Sequence, residues 1–134
     1  MILDKELQFS SGQVLTASAA STNIVDQLAA GDTLGNDMYL VVRVGTVLDS
    51  AGEGATLSVK IQDDTDVAFG TARDVYTSQV FTEAQCTGNT NLLQVPLPIG
   101  LQRYFRVYYT VGTENFTTGT IDAFLVSAVD VRRP

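Results

Sequence analysis

The sequence contains no histidine, no tryptophan and a single cysteine among its 134 residues. Without histidine the chain has no Ser-His-Asp triad, no Cys-His pair and no histidine-ligated metal site. The one thiol, Cys86, excludes an intrachain disulfide and lies in a polar Ala-Gln-Cys-Thr-Gly run without a neighbouring base. Because a reactive thiolate needs an electropositive setting, we interpret Cys86 as a structural or incidental thiol.

Basic residues are scarce as well. Lys and Arg number 8 against 15 Asp and Glu, so the formal net charge is -7. Nucleic acids and anionic membranes attract clusters of Lys and Arg, and the composition therefore argues against both kinds of partner. No apolar stretch approaches the roughly 20 residues that span a bilayer. The N-terminus lacks the basic start and apolar run of a signal peptide, so we expect a soluble protein made in a reducing cytoplasm.

Helical periodicity is also missing, because no segment keeps an apolar period of 3.6 residues over three turns. Residues 101–126 instead alternate with a period of two, as two strands joined by a polar loop. Phe105, Val107 and Tyr109 share one face of the first strand, and Ile121 and Leu125 share one face of the second. About eight short strands separated by turns predict an all-β jelly-roll β-sandwich, a single domain spanning residues 1–134.

The other predicted strands follow the same alternation or precede turn residues. They lie at Gln13–Ala17, Met38–Val47, Thr56–Gln62, Val75–Phe81 and Leu92–Leu97. Proline cannot donate to a strand ladder, so Pro96 and Pro98 predict that the last of these is an edge strand. Residues 1–12 are interpreted as an extended N-terminal arm, with apolar points at Ile2, Leu3, Leu7 and Phe9.

The densest group of carboxylates is Asp63, Asp64 and Asp66. Carboxylates on a loop are suitable calcium ligands, yet the calcium-binding EF-hand loop needs Gly at its sixth position and Glu at its twelfth. Counted from Asp64, those positions hold Phe69 and Val75. We therefore predict a solvated turn here, and no cofactor or metal ion for the chain.

Several aromatic residues fall on strand faces opposite the predicted core: Tyr39, Tyr104, Tyr108 and Phe124, accompanied by Val41 and Val126. Aromatic residues are enriched at the cores of protein interfaces. One hypothesis is that these four aromatic residues form an interface between protomers. The alternatives are a mis-phased β-bulge or coverage of this face by the N-terminal arm.

Ordered segments along most of the chain resemble the Bbp16-like family of capsid cement proteins from tailed bacteriophages. The similar segments are Met-Ile-Leu-Asp-Lys-Glu-Leu-Gln-Phe-Ser at the start, residues 16–25, 38–44 and 57–64, and, most specifically, Leu97-Pro98, Arg103-Tyr104-Phe105-Arg106, Tyr109-Thr110-Val111, 112–116 and 119–126. The resemblance implies a jelly-roll sandwich on the outer surface of a virion. It also implies an oligomer that bridges neighbouring subunits of the major capsid protein and braces the shell, with no catalytic residues.

From this resemblance we expect a homo-oligomer, and we favour a dimer over a trimer. Because the N-terminal arm is otherwise loose but carries apolar residues, we hypothesise that Ile2, Leu3, Leu7 and Phe9 contact the capsid. The alternative function is a carbohydrate-binding or receptor-binding β-sandwich of a phage virion. A small glycan hydrolase is a third interpretation, and it lacks a favoured pair of acids. Glycan arrays and an activity screen distinguish these alternatives.

Overall fold

The computed structural model describes residues 7–28 and 38–127, which contain ten β-strands and a short 3-10 helix at Glu83–Gln85. The strands are β1 (Gln8–Val14), β2 (Ala19–Ala20), β3 (Val25–Asp26), β4 (Met38–Val44), β5 (Thr56–Asp64), β6 (Arg73–Thr77), β7 (Phe81–Thr82), β8 (Thr90–Pro96), β9 (Tyr104–Gly112) and β10 (Thr120–Ser127). These ranges contain no α-helix. The all-β prediction is therefore confirmed.

The strands form two antiparallel sheets. The four-stranded sheet has the order β1-β10-β4-β8. The six-stranded sheet has the order β2-β9-β5-β6, with β3 also paired to β9 and β7 to β5. Both strands predicted within residues 101–126 are present, yet β9 and β10 belong to different sheets. The chain crosses between the sheets at residues 113–119, where the Thr117 amide donates to Asp49 O over 2.7 Å.

One apolar core joins the inner faces of the two sheets. Leu40 and Leu125 reach it from the four-stranded sheet, and Leu57, Phe105 and Val107 from the six-stranded sheet. Each of these side chains is at most 2% exposed, and burying a large apolar side chain stabilises the fold by roughly 1.5–3 kcal/mol. The arrangement is a β-sandwich of two sheets; its jelly-roll connectivity and its extent over residues 1–134 stay predictions.

The N-terminal strand lies earlier in the sequence than predicted. β1 occupies part of the predicted arm, and the strand predicted at residues 13–17 is wrong in position. Phe9 is 1% exposed, and its ring centre lies 5.9 Å from that of Phe105. Burial of this ring, together with pairing to β10, outweighs the turn preference of Ser10, Ser11 and Gly12. Irregularities between residues 8 and 13 accommodate that turn-forming sequence within the strand.

A buried polar network ties β1 to the six-stranded sheet. The Tyr109 hydroxyl lies 2.8 Å from Ser10 Oγ, which donates to Gln13 Oε1 over 2.6 Å. Gln13 Nε2 in turn donates to Ala20 O over 3.0 Å. Burial raises the pKa of Tyr109, because the phenolate would have to form away from water. The network therefore fixes β1 against the opposite sheet as well as against its strand neighbour.

Two further strand predictions have different outcomes. β8 lies at the edge of the four-stranded sheet, which confirms the expectation from Pro96 and Pro98. The single strand predicted at residues 75–81 is divided into β6 and β7. Ser78 interrupts it, because its Oγ accepts the Val59 amide while its own amide donates to Val59 O.

Candidate partner-binding surface

The outer face of the six-stranded sheet carries Tyr104, Arg106 and Tyr108, which we call the β9 strip. These residues alternate along β9 with Phe105 and Val107, whose side chains enter the core. Each member of the β9 strip is partly buried, between the exposed and the fully buried extremes. Strand periodicity therefore presents two tyrosine rings and one guanidinium group on the same side of the sheet.

The Arg106 guanidinium is held by three neighbours. Its Nε donates to Gln62 Oε1 over 3.0 Å. Its central carbon lies 4.3 Å from the Phe69 ring centre and 5.7 Å from that of Tyr108, which are cation–π distances. The ion pairs of the described ranges join Lys60 to Asp74, residue 73 to residue 63, and residue 103 to residue 26, so Arg106 has no carboxylate partner there.

Two carboxylates beside the β9 strip are already engaged. Asp74 accepts hydrogen bonds from Gln62 Nε2 at 2.9 Å and Lys60 Nζ at 3.3 Å, and the first of these is the main reason its pKa is lowered. Asp26 binds Arg103 through Nε at 2.9 Å and Nη2 at 3.1 Å, and this pairing lowers the pKa of Asp26. The strip thus contains a fixed cation whose neighbouring acids serve other donors.

The outer face of the four-stranded sheet carries a second, separate apolar cluster. Val41, Phe124 and Val126 are 3–4% exposed, and the half-buried Tyr39 packs against them. Because this cluster and the β9 strip lie on the outer faces of different sheets, Tyr39 and Phe124 do not share a face with Tyr104 and Tyr108. The single aromatic face expected from the sequence is therefore absent, and an interface between protomers at these residues stays a prediction. Periodicity identified the outward face of each strand but did not show which sheet each strand joins.

The predicted capsid-contact residues are also divided. Ile2 and Leu3 lie outside the described residues. Leu7 is partly buried and packs against the core, and Phe9 is a core residue. Phe9 therefore serves the domain itself and offers no surface to a partner, which corrects the contact set predicted from the sequence.

The predicted solvated turn at residues 63–66 is wrong for two of its three acids. Asp63 is fully buried and binds Arg73 through Nε at 3.0 Å and Nη2 at 2.7 Å. Asp64 is 2% exposed, and its pKa is lowered mainly because its carboxylate accepts the Thr71 amide at 2.9 Å. Only Asp66 is exposed. The buried pair organises the loop, and the described ranges contain no group of three potential metal ligands.

Three other acids, Asp49, Glu53 and Glu83, line an open cleft of about 340 Å³ together with Val47, Leu48 and Ala84. Glu83 accepts Ser50 Oγ at 2.7 Å, and this bond is the main reason its pKa is lowered. The pKa of Asp49 is raised chiefly by its hydrogen bond with Glu83. Glu114 accepts the Gly52 amide at 2.8 Å. These carboxylates stabilise the connection between β4 and β5, and their bonds explain their positions without a ligand.

Cys86 lies inside the core and has no exposed surface. Desolvation raises the pKa of its thiol to about 11, and the negative charge of Glu83 adds to the shift. This environment disfavours the thiolate and supports the interpretation of Cys86 as a structural thiol. Its burial was not evident from the polar residues that surround it in the sequence.

The described ranges define an all-β domain of two packed sheets that carries a partly buried cation between two tyrosines, and no helix in them is long and apolar enough to span a membrane. A comparison with protein families identifies the relatives of this domain. The Bbp16 family model matches residues 9–125, so the chain belongs to the Bbp16 family. The family name associates the chain with bacteriophages. A search of curated proteins found no match.

Sequence reasoning singled out the tyrosines of the β9 strip but missed Arg106 between them. The available signal was the order Tyr-Phe-Arg-Val-Tyr, which places the arginine on the same strand face as Tyr104 and Tyr108. Its lack of a carboxylate partner depends on where Asp26 and Asp74 lie in the folded chain, which the sequence does not show.

Proposed function

We propose that this protein is a non-enzymatic cement protein of a tailed bacteriophage. In this proposal it binds the outer surface of the mature capsid, bridges neighbouring subunits of the major capsid protein and stabilises the shell. The observation that carries the proposal is membership of a phage-associated family over residues 9–125, nearly the whole described domain.

The use of the described carboxylates supports a binding role. Asp63 neutralises Arg73, Asp64 caps the loop that follows β5, and Glu114 holds the turn at Gly52. A general acid–base pair needs carboxyl groups that are free to reach a substrate. Here the acids are committed to holding loops, which suits a rigid module that presents surface to a partner.

The stabilising mechanism is mass action. A ligand that binds the assembled shell and not its free subunits adds RT ln(1 + [L]/Kd) of stability at each site. A standard interface buries roughly 1,600 Å² in total. Because a shell repeats its binding sites many times, a modest free energy at each one sums to a large effect on shell disruption.

Self-association is part of the proposal, with a dimer favoured over a trimer. The structure does not offer the single aromatic face predicted for it, because Phe124 is 4% exposed within its own chain. Sedimentation equilibrium of the purified protein gives the mass directly. A concentration-independent monomer would remove this part of the proposal without affecting capsid binding.

Cosedimentation of the purified protein with expanded, undecorated capsids tests the cement function. We expect saturable binding at a fixed ratio to the major capsid protein and a higher temperature of capsid disruption. The control is the same capsid with an unrelated acidic β-protein of similar size. Absence of binding, or binding without a change in disruption temperature, would contradict the proposal.

A second candidate function is glycan binding, and one observation favours it. An open groove of about 400 Å³ lies where β8 approaches β7 and the 3-10 helix. It is lined by uncharged amides and hydroxyls, namely Gln79, Gln85, Thr87, Thr90 and Asn91, and by Phe81, Ala84 and Leu92. Such groups suit neutral sugars, although Phe81 is only 3% exposed and offers no stacking platform. A glycan array distinguishes the two functions, with binding expected only under this second candidate.

A further inference from the structure

The Arg106 guanidinium of the β9 strip is held in place by its neighbours but has no carboxylate partner in the described ranges. Gln62 fixes Arg106 through Nε, and the Phe69 ring lies 4.3 Å from the guanidinium carbon. In the described ranges the Arg106 guanidinium donates through Nε alone, and the residue is only partly buried. An arginine whose Nε is already bound still offers its two terminal nitrogens, and the planar guanidinium suits a carboxylate.

No described acid of the same chain competes for this donor edge. Asp74 serves Gln62 and Lys60, and Asp26 serves Arg103. Asp64, opposite Tyr104 in the strand register, accepts two backbone amides. The described neighbours of Arg106 therefore supply no carboxylate for its terminal nitrogens.

We infer that the β9 strip faces the capsid and that Arg106 binds a carboxylate side chain of the major capsid protein. This inference rests on the cement function proposed above. Tyr104 and Tyr108 flank the ion pair and exclude water from it. The residues that surround an interface hot spot act in this way even where they contribute little binding energy themselves. Arginine and tyrosine are among the residues enriched at such hot spots.

Charge favours the capsid over a second copy of this chain as the occupant. If two β9 strips faced each other across a two-fold axis, Arg106, at the centre of the strip, would meet Arg106 of the other copy. Arg106 is the one charged member of the strip, in a chain of net charge -7. An acidic site on the shell would therefore attract this face and repel the rest of the acidic surface, which fixes the orientation of binding.

Arg43 provides a matched control on the opposite side of the molecule. It lies on β4 in the four-stranded sheet, its Nη2 donates to Asn89 at 3.0 Å, and the ion pairs of the described ranges do not include it. Unlike Arg106, it has a buried Nε without an acceptor. Arg43→Gln thus removes a comparable charge from the other outer face.

The first experiment measures capsid affinity for the full-length protein and three variants. We expect Arg106→Gln to weaken binding at least about tenfold, because it removes one partner of a desolvated charge pair. Arg106→Lys should bind more tightly than Arg106→Gln but less tightly than the wild type, since lysine keeps the charge and lacks the paired N–H donors of the guanidinium. Arg43→Gln should bind within about twofold of the wild type, and thermal unfolding checks that each variant is folded.

The second experiment identifies the acceptor. Arg106→Lys places an amine where a zero-length carbodiimide can join it to a contacting carboxylate. We expect a cross-linked peptide that contains position 106 and an Asp or Glu of the major capsid protein, absent from the wild type under the same treatment. A cross-link from position 106 to a second copy of this chain would overturn the choice of partner.

The outcomes separate the inference from the proposed function. If the wild type does not bind capsids, the cement function fails. If the wild type binds and Arg106→Gln binds equally well, the function stands and the inference is wrong. Equal losses for Arg106→Gln and Arg43→Gln would also overturn it, because they would show a general effect of charge.

Discussion

At the residue scale, the side chains that hold this domain together include acids that a sequence alone would place in water. Asp63 is fully buried and accepts Arg73 on one side and the Gln102 amide, 3.0 Å away, on the other. The pair thereby links β5 and β6 to the segment before β9. A charge can be buried at tolerable cost only with such partners, and the partners come from distant parts of the sequence.

Cys86 should be inert in the folded protein. Its pKa near 11 and its lack of exposed surface leave little accessible thiolate at pH 8. We expect a thiol reagent to label it only at the rate of global or local unfolding. The measurement is labelling against denaturant concentration, and complete labelling of native protein within the mixing time would contradict the buried position.

At the element scale, the crossing from β9 to β10 depends on a close backbone approach. Gly119 has φ of 130°, and a Cβ there would lie 2.8 Å from both Leu48 Cα and Val47 O. Gly70 lies in open space, with no atom within 4 Å of a Cβ. The sequence marks both only as glycines in polar segments, and the packing of the connection distinguishes them.

Gly119→Ala should destabilise the domain by about 2 kcal/mol or more, because it combines a steric clash with an unfavourable φ. Gly70→Ala is the control and should change the free energy of unfolding by less than about 0.5 kcal/mol. Chemical denaturation of both variants measures the difference. Equal stabilities would show that Leu48 and Val47 yield without cost.

The N-terminal strand divides the predicted arm into two functional parts. Phe9 and the Ser10–Tyr109 contact belong to the fold, whereas Ile2 and Leu3 lie outside the described residues. We expect deletion of residues 1–6 to preserve the melting temperature and to lower capsid occupancy. Deletion of residues 1–9 should also unfold the domain, because losing a buried phenylalanine costs about 3–5 kcal/mol.

Circular dichroism and cosedimentation of the two truncations test this division. The shorter deletion retains Leu7, which packs against the core, and so serves as the folded control. Full capsid occupancy after deletion of residues 1–6 would end the proposal that this segment docks on the shell. It would leave the inference about Arg106 unaffected.

At the scale of the whole molecule, acid should destabilise the domain. Arg103 lowers the pKa of Asp26, the Thr71 amide lowers that of Asp64, and the Ser50 hydroxyl is the main group that lowers that of Glu114. The unfolded chain therefore binds more protons than the native one in this range. The stabilisation from these carboxylates is complete above their ordinary pKa values of 3.8–4.5, and it is lost as the pH falls through their lowered pKa values in the folded protein.

We expect the melting temperature to change little from pH 7 to about pH 5 and to fall steeply below about pH 4. Glu114→Gln should melt lower than the wild type at neutral pH, and the difference should shrink in acid. Asp49 acts with the opposite sign, because its raised pKa favours the fold at low pH. A difference between wild type and Glu114→Gln that grows in acid would contradict this assignment.

The sequence by itself determined the β class, the inward residues of β5, β9 and β10, and the edge position of β8. A period of two and the missing amide of proline act locally, so they can be read without knowing the fold. The lack of histidine likewise excluded whole classes of site, because a triad or a metal centre that needs an imidazole cannot form in any fold of this chain. The resemblance over most of the chain agrees with its membership of the Bbp16 family.

Only the tertiary structure decided which strands share a sheet, and therefore which of the predicted contact residues lie on one surface. It put Phe9 in the core, separated Phe124 from Tyr104 and Tyr108, and left Arg106 without a carboxylate in the described ranges. Strand pairing joins residues far apart in sequence, as β1 joins β10. Local periodicity carries no information about such partners, whereas burial and charge pairing depend on them entirely.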